Sequence, residues 1–148
     1  MMQNPYLRLL AMALLSFISM YVLMYAMVDR FDNVLNNLNQ AYMAGLMTAP
    51  MIIIELLVMK GMYDKPRLNR IIVAVSIVAL IASFLFIRQQ IAISDHQFLR
   101  SMIPHHAGAI LMCENAHLQD ARLKELCRTI ISSQQSEIDQ MKSLLRTR

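Results

Sequence analysis

The chain has no tryptophan and only two cysteines among its 148 residues. Two cysteines are too few for a disulfide scaffold, and they match no zinc-finger spacing. No nucleophile–base pair, phosphate-binding loop or nucleotide motif is present, so a hydrolase or kinase reading has no support, and we expect binding rather than catalysis. The net charge of +4 does not come from a basic patch interleaved with aromatic residues. We therefore expect no nucleic-acid partner.

Hydrophobic residues make up 57% of the chain and are concentrated before residue 88. A soluble domain is nearer to ~45–50% apolar. Three runs approach or exceed the ~20 residues needed to cross a bilayer, at about 7–28, 41–59 and 71–87. We predict a transmembrane domain over 1–88, in contact with the lipid bilayer. Residues 89–148 are ordinary in polarity and contain no run that could cross a membrane.

The charges in the connecting segments predict the orientation. The segment Lys60–Arg70 is the most basic, which indicates the cytoplasmic side. The segment Asp29–Gln40 carries more acid than base and is expected outside, as a short interfacial helix or a loop. The N-terminus is then cytoplasmic and the C-terminal domain extracytoplasmic. It would lie on the periplasmic side of an inner membrane or on the outer side of a plasma membrane. That compartment permits a disulfide.

The C-terminal domain is predicted to be two antiparallel helices. The first begins at Ser94 or Asp95, with a kink or restart at Pro104, and the second begins after Asp120. Facing residues then have numbers that add up to about 240, which places Cys113 opposite Cys127 as a disulfide candidate. The predicted fold is thus all-α: three transmembrane helices followed by an extracytoplasmic antiparallel helical hairpin.

The run Met102–His106 (Met-Ile-Pro-His-His) carries the strongest chemical signal. Met102 shares a helical face with His105, three residues on, and with His106, four residues on. Neutral imidazole with thioether sulfur suits copper, and fourteen methionines favour Cu(I) over iron or zinc. Further candidate ligands are His96, Met112 and Met141. Gln134 and Glu137 are polar residues that could orient an imidazole.

Two other patterns support alternative functions. The Glu-x-x-His spacing of Glu114 and His117 is typical of di-iron carboxylate bundles, so a homodimer could be a ferritin-like oxidase with Glu125 across the turn. In the second span, methionines repeat every four residues and are followed by an acid, which resembles the Met-x-x-x-Met signature of Ctr-type copper transporters. The chain lacks that family's Gly-x-x-x-Gly in the third helix. The candidate intramembrane path is Met43, Met47, Met51 and Glu55.

Residues 95–145 resemble domain-of-unknown-function family 305, and the membrane portion falls outside this resemblance. The resemblance implies a ferritin-like helical domain that binds metal, copper in its characterised members. Such proteins often carry two copies of the domain, whereas this chain has one, so we expect an oligomer that completes a helical bundle. The matching residues are Asp95, Phe98, the run 102–106, Ala109, Ile110, Met112, Ile130, Gln134, Glu137, Ile138 and Met141.

The sequence therefore predicts a membrane-anchored copper-binding protein for copper tolerance, sequestration or delivery. The first alternative is a copper transporter or channel that uses the methionine-lined spans. The second is the di-iron oxidase formed by two copies of the chain.

Overall fold

The computed structural model describes residues 4–147 and is helical throughout, with no strand in this range. The short segments between the helices include three single turns of 3₁₀-helix. The five α-helices are α1 (Pro5–Leu23), α2 (Leu38–Val58), α3 (Pro66–Gln89), α4 (Asp95–Asn115) and α5 (Ala121–Arg146). They fall into two compact units, one formed by the chain up to Leu23 with Asn39–Ala92, the other by Met24–Leu38 with the chain from Ile93 onward.

The first unit contains three helices that are long and apolar enough to cross a membrane, over Pro5–Met27, Leu38–Val58 and Pro66–Gln89. Most of their large apolar side chains are exposed, including Leu15 and Val58. A lipid-facing helix presents such a surface. Its backbone hydrogen bonds are satisfied within the helix, and its apolar side chains can face the hydrocarbon. Helix α2 begins three residues before the predicted run at 41–59 and ends one residue before its end, whereas α3 extends beyond the predicted run at 71–87 at both ends.

Side chains from all three helices and the loop after α2 meet in a small cluster. Leu9, Leu56 and Tyr63 are its buried members. The Tyr63 hydroxyl donates a hydrogen bond to Glu55 Oε1 at 3.2 Å. Asn69 donates to the Tyr63 carbonyl at 2.9 Å and accepts from the Tyr6 hydroxyl at 2.9 Å. Glu55, an acid at the end of a predicted span, is thus held by a tyrosine from the following loop.

The second unit is built around α4 and α5. Its apolar core joins the two helices with side chains that recur at helical spacing. Contacts between the helices pair Cys113 with Cys127 near the turn and His106 with Glu137 farther away, so α4 and α5 run in opposite directions. The buried members of this core are Leu99, Ile103, Ala107, Ile110, Ile138 and Met141.

The segment Met24–Leu38 packs in this second unit. Val28 and Leu35 contact the α4–α5 core. Lys142 on α5 donates a hydrogen bond of 2.6 Å to Asp32, although the two residues are 110 positions apart. The sequence-based division at residue 88 groups this segment with the transmembrane helices. Its contacts group it with α4 and α5, because its apolar side chains and the Asp32 carboxylate find partners there.

Candidate metal centre

Helix α4 presents the Met-Ile-Pro-His-His run without interruption. It is capped by Ser94, whose hydroxyl accepts a hydrogen bond from the Gln97 amide at 3.3 Å. Helix α5 is capped in the same way by Asp120, as the sequence predicts. The predicted restart at Pro104 does not occur, since α4 is continuous from Asp95 to Asn115. Pro104 removes one helical hydrogen bond, but it is buried beside Ile103, and the packing of that stretch holds the helix together.

His106 is the buried imidazole of the unit, at 8% exposure. Its Nδ1 lies 3.1 Å from Glu137 Oε2. The two atoms are close but not aligned as a hydrogen bond, and Nδ1 is also buried away from solvent. This nitrogen therefore has no hydrogen-bonding partner among residues 4–147. A buried imidazole nitrogen without an aligned partner is costly, and a bound metal ion would satisfy it.

The surroundings of His106 keep its imidazole neutral. Burial lowers its pKa below the usual value of 6.5, and neighbouring His105 lowers it further, while the Glu137 carboxylate acts in the opposite direction. Neutral imidazole is the form that coordinates a metal. His106 therefore has the protonation state of a ligand over a wider pH range than an exposed histidine.

The other candidate ligands lie on both sides of this buried position. His105 is exposed, and its ring centre is 6.1 Å from that of His106. Met102 is half-buried and packs against the apolar core, and Met141 is a buried member of that core. Met112 is 55% exposed.

The remaining candidates lie apart from His106. His96 is exposed near the start of α4, and Gln134 is half-buried on α5. Within the described chain, no group of three or more His, Cys, Asp or Glu side chains comes together as a metal ion would require. One chain thus brings Glu137 to His106 and supplies thioethers nearby, but it does not close a site of such residues by itself.

Cys113 and Cys127 are joined by a disulfide, with their Cα atoms 5.2 Å apart. The bridge ties α4 to α5 near the chain reversal. Both cysteines lie outside the buried core cluster and are half-buried. In this state neither sulfur is available as a thiolate ligand.

The residues behind the di-iron alternative are dispersed. Glu114 and His117 are both exposed, and His117 lies beyond the end of α4. Glu125 pairs with Arg128 on its own helix at 2.8 Å. Nothing in one chain gathers these carboxylates around a common point.

The methionine stripe of α2 is only partly turned inward. Met43 and Met47 are exposed at 38% and 42%. Met51 and Glu55 are half-buried. The sulfur atoms that do meet a polar group within this unit include two on α1, since Met20 accepts a hydrogen bond from Thr48 at 3.7 Å and Met12 accepts one from Ser16 at 3.5 Å.

Sequence reasoning did not foresee the residues that dock the first connecting segment on α4. Arg100 donates a hydrogen bond to the Asn36 carbonyl at 2.8 Å, and the Gln97 side chain accepts one from the Leu38 amide at 3.0 Å. Gly108 lets the backbone of Met27 approach closely, since a Cβ at Gly108 would lie 3.3 Å from the Met27 carbonyl oxygen. Gly108 in the middle of a helix was the available signal, because glycine there often marks a close backbone approach.

These features define a helical protein with three apolar helices of membrane-spanning length and a separate helical unit that carries a buried histidine. The chain belongs to the family described as "Domain of unknown function (DUF305)", whose model matches residues 55–145. The match begins well before residue 95 and takes in α3. The prediction that the membrane portion falls outside the family is therefore wrong for that helix.

A similar protein is the "Uncharacterized protein L153" of Acanthamoeba polyphaga mimivirus. It is 34% identical over 140 residues, which cover 93% of this chain and 90% of the viral protein. The similarity therefore includes the apolar helices as well as the C-terminal unit. No solved structure matches the chain.

Proposed function

We propose that this chain is a membrane-anchored copper-binding protein that serves copper tolerance, sequestration or delivery, with Cu(I) as the favoured ion. The observation that carries the proposal is the buried Nδ1 of His106, which has no aligned hydrogen-bonding partner and lies within the Met-Ile-Pro-His-His run. Copper would accept a lone pair from such an imidazole and from the thioether of Met102. The Glu137 carboxylate, 3.1 Å from His106 Nδ1, would lie beside the ion and balance its charge.

The proposed location is an inner or plasma membrane, with the N-terminus cytoplasmic and the C-terminal unit outside. Three membrane crossings bring Met24–Leu38 and the chain after α3 to the same side. The packing of these two stretches in one unit is consistent with that number of crossings. The basic loop after α2 supports the cytoplasmic assignment of the opposite side.

The alternatives have less support in the described residues. A copper transporter would need Met43 and Met47 to line a path, and both are exposed on α2. A di-iron oxidase would need carboxylates that one chain leaves apart. We also expect the protein to act as an oligomer, because one chain gathers no group of three or more His, Cys, Asp or Glu side chains within residues 4–147.

The test is Cu(I) binding by the purified full-length protein in lipid nanodiscs, measured by competition with a chromophoric chelator. We expect His105→Ala combined with His106→Ala to lower the affinity at least tenfold. The matched control is His117→Ala, an exposed histidine beyond α4, which should bind copper as the parent does. Equal binding by the parent and the double variant would contradict the proposal and make the methionines of α2 the leading candidates.

A second variant distinguishes the oxidation states. Met102→Leu keeps the side-chain volume and removes the sulfur atom. It should weaken Cu(I) binding more than Cu(II) binding, because thioether is the softer ligand. Iron loading with turnover, or copper flux into sealed vesicles, would instead support the oxidase or the transporter.

A further inference from the structure

Helix α4 carries a stripe of uncharged residues, the α4 stripe, that is left largely uncovered by residues 4–147. Its members are separated alternately by four and three residues, which is the spacing of a helix that packs along another helix. Phe98 and Met112 are 48% and 55% exposed, and His105 is also exposed. A solvent-facing helix surface normally carries charge. The α4 stripe consists of Phe98, Met102, His105, Ala109 and Met112.

Helix α5 carries a similar stripe, which is apolar toward both ends. Leu123, Leu126 and Leu144 are 47%, 54% and 44% exposed. The spacing again alternates between three and four residues, and the polar members lie in the middle. The α5 stripe consists of Leu123, Leu126, Ile130, Ser133, Glu137, Gln140 and Leu144.

Both stripes lie on the same side of the helix pair. Counted around each helix at 3.6 residues per turn, each stripe is about a quarter turn from the face that packs on the other helix. Because the helices run in opposite directions, the two quarter turns point the same way. The contact between His106 and the half-exposed Glu137 of the α5 stripe lies along this edge.

The opposite side of the pair is already covered. The segment Met24–Leu38 packs there through Val28 and Leu35, and its Asp32 pairs with Lys142. Gly108 faces the Met27 carbonyl on that side. The pair therefore has one covered apolar side and one uncovered side that carries the two stripes.

The occupant that fits this uncovered side is a second copy of the same unit. Two helix pairs that dock through such stripes make a four-helix bundle, in which apolar residues at this spacing fill the centre. Glu137 is the one charged residue of the two stripes, and it already faces His106, so docking would bury little unpaired charge. The stripes comprise roughly a dozen residues, about half the number on one side of a standard protein interface. Anchoring both copies in one membrane raises their effective concentration, which compensates for the small interface.

Membrane anchoring also selects the direction of the two copies. Helix α4 begins at Asp95, soon after α3 ends at Gln89. Two copies in one membrane thus start α4 on the same side of the bilayer, so we expect the two α4 helices to run in the same direction. A two-fold axis along the bundle then places the same residues of both chains at one level. At the level of Met102 and His105 the two chains together provide two imidazoles and two thioethers.

We propose that two copies of the chain dock through the α4 and α5 stripes and share a copper site to which each chain contributes Met102 and His105, next to His106, whose ring centre is 6.1 Å from that of His105. This inference rests on the proposed function for the identity of the ion, but the docking surface does not. It is consistent with the finding that, within residues 4–147, no group of three or more His, Cys, Asp or Glu side chains comes together in one chain. Copper bound between the chains should in turn stabilise the dimer, because a ligand favours the state that binds it.

The docking surface is tested by site-directed crosslinking of the full-length protein in native membranes. Ser133→Cys lies on the α5 stripe, and the matched control Ser132→Cys is its exposed neighbour off the stripe. Cys113 and Cys127 are bonded to each other and should not react with a bismaleimide. We expect at least a fivefold higher yield of crosslinked dimer for Ser133→Cys than for Ser132→Cys. Equal yields would overturn the docking surface.

The shared site is tested by a change that leaves every proposed ligand in place. Ala109→Glu adds a charge at the centre of the α4 stripe and keeps good helix propensity. In the Ser133→Cys background it should reduce crosslinking to the control level, and in nanodiscs it should lower Cu(I) affinity at least tenfold. The matched control Ser132→Glu should change neither. Loss of crosslinking with unchanged Cu(I) affinity would overturn sharing of the site.

Copper provides an independent readout. Cu(I) should raise the crosslinking yield of Ser133→Cys severalfold, and His105→Ala should abolish that increase. If the parent protein binds no copper, the proposed function and the shared site fail together. The docking surface would then stand or fall on the copper-free comparison of Ser133→Cys with Ser132→Cys.

Discussion

His106 differs from His105, the other histidine of the Met102–His106 run, in its burial and in its contact with Glu137. It adjoins His105 in sequence, yet it is buried while His105 is exposed, because adjacent residues on a helix point about 100° apart. The buried ring contacts Glu137, whereas the exposed ring faces solvent at the edge of the α4 stripe.

His106 should make the second unit less stable as the pH decreases. The pKa of His106 in the folded protein is below 6.5. Between that pKa and 6.5, the imidazole is therefore mostly protonated in the unfolded chain and mostly neutral in the folded chain. Stability is retained above pH 6.5 and decreases as the pH falls from there toward the lowered pKa. The measurement is hydrogen exchange of the α4 and α5 amides in metal-free protein, corrected for intrinsic rates. His106→Gln should remove the effect of this residue.

The matched control for this pH dependence is His105→Gln, which changes an exposed ring one position away. It should preserve the loss of stability below pH 6.5. A parent protein whose α4–α5 protection is constant from pH 7.5 to 5 would show that His106 is not buried as described.

At the scale of elements, α4 and α5 are joined in two different ways. A disulfide links them near the turn, and an apolar core joins them farther away. The segment Met24–Leu38 then adds a third layer through the close approach at Gly108. Each of these features can be perturbed separately.

The disulfide predicts the reactivity of the cysteines. In protein purified without reductant, Cys113 and Cys127 should resist alkylation until a reductant is added, as mass spectrometry would report. Reduction should leave most of the α4–α5 helix content in place, because the buried core does not include either cysteine. Immediate labelling of both thiols in the untreated protein would contradict the bridge.

Gly108 predicts how the connecting segment is held. Gly108→Val places methyl groups against the Met27 carbonyl, where even a Cβ would be at 3.3 Å, and should weaken docking of residues 24–38 by about 1–3 kcal/mol. Limited proteolysis should then cut that segment faster. The control Gly61→Val has no atom within 4 Å of its added Cβ and should leave the cleavage rate unchanged. Equal rates in the parent and Gly108→Val would argue against this packing.

For the whole molecule, the number of apolar helices sets the topology. In the proposed topology the three apolar helices cross the membrane, which places the two ends of the chain on opposite sides, and the basic segment Lys60–Arg70 assigns the cytoplasmic side. An enzymatic reporter fused after the last residue should be active outside the cytoplasm, and one fused after Gly61 should be active inside. The reverse pattern would overturn the orientation and remove the chemical environment that favours the disulfide.

The sequence alone was sufficient for the features that depend on local spacing. Apolar runs of bilayer length predicted three helices that are long and apolar enough to span a membrane, and the capping residue Asp120 predicted where α5 begins. The family resemblance was likewise carried by local motifs, and the family match contains the residues that suggested it. Helical period, capping and bilayer thickness act over short stretches of chain, so they can be read without a structure.

The tertiary structure decided which of the candidate residues meet. It buried His106 and exposed His105, brought Glu137 to the buried ring, and left His96 and Met112 at the surface. It also assigned Met24–Leu38 to the unit of α4 and α5, through contacts such as Asp32 with Lys142, 110 residues away. Such pairings depend on how several helices pack at once, and a single sequence contains no local pattern that specifies them.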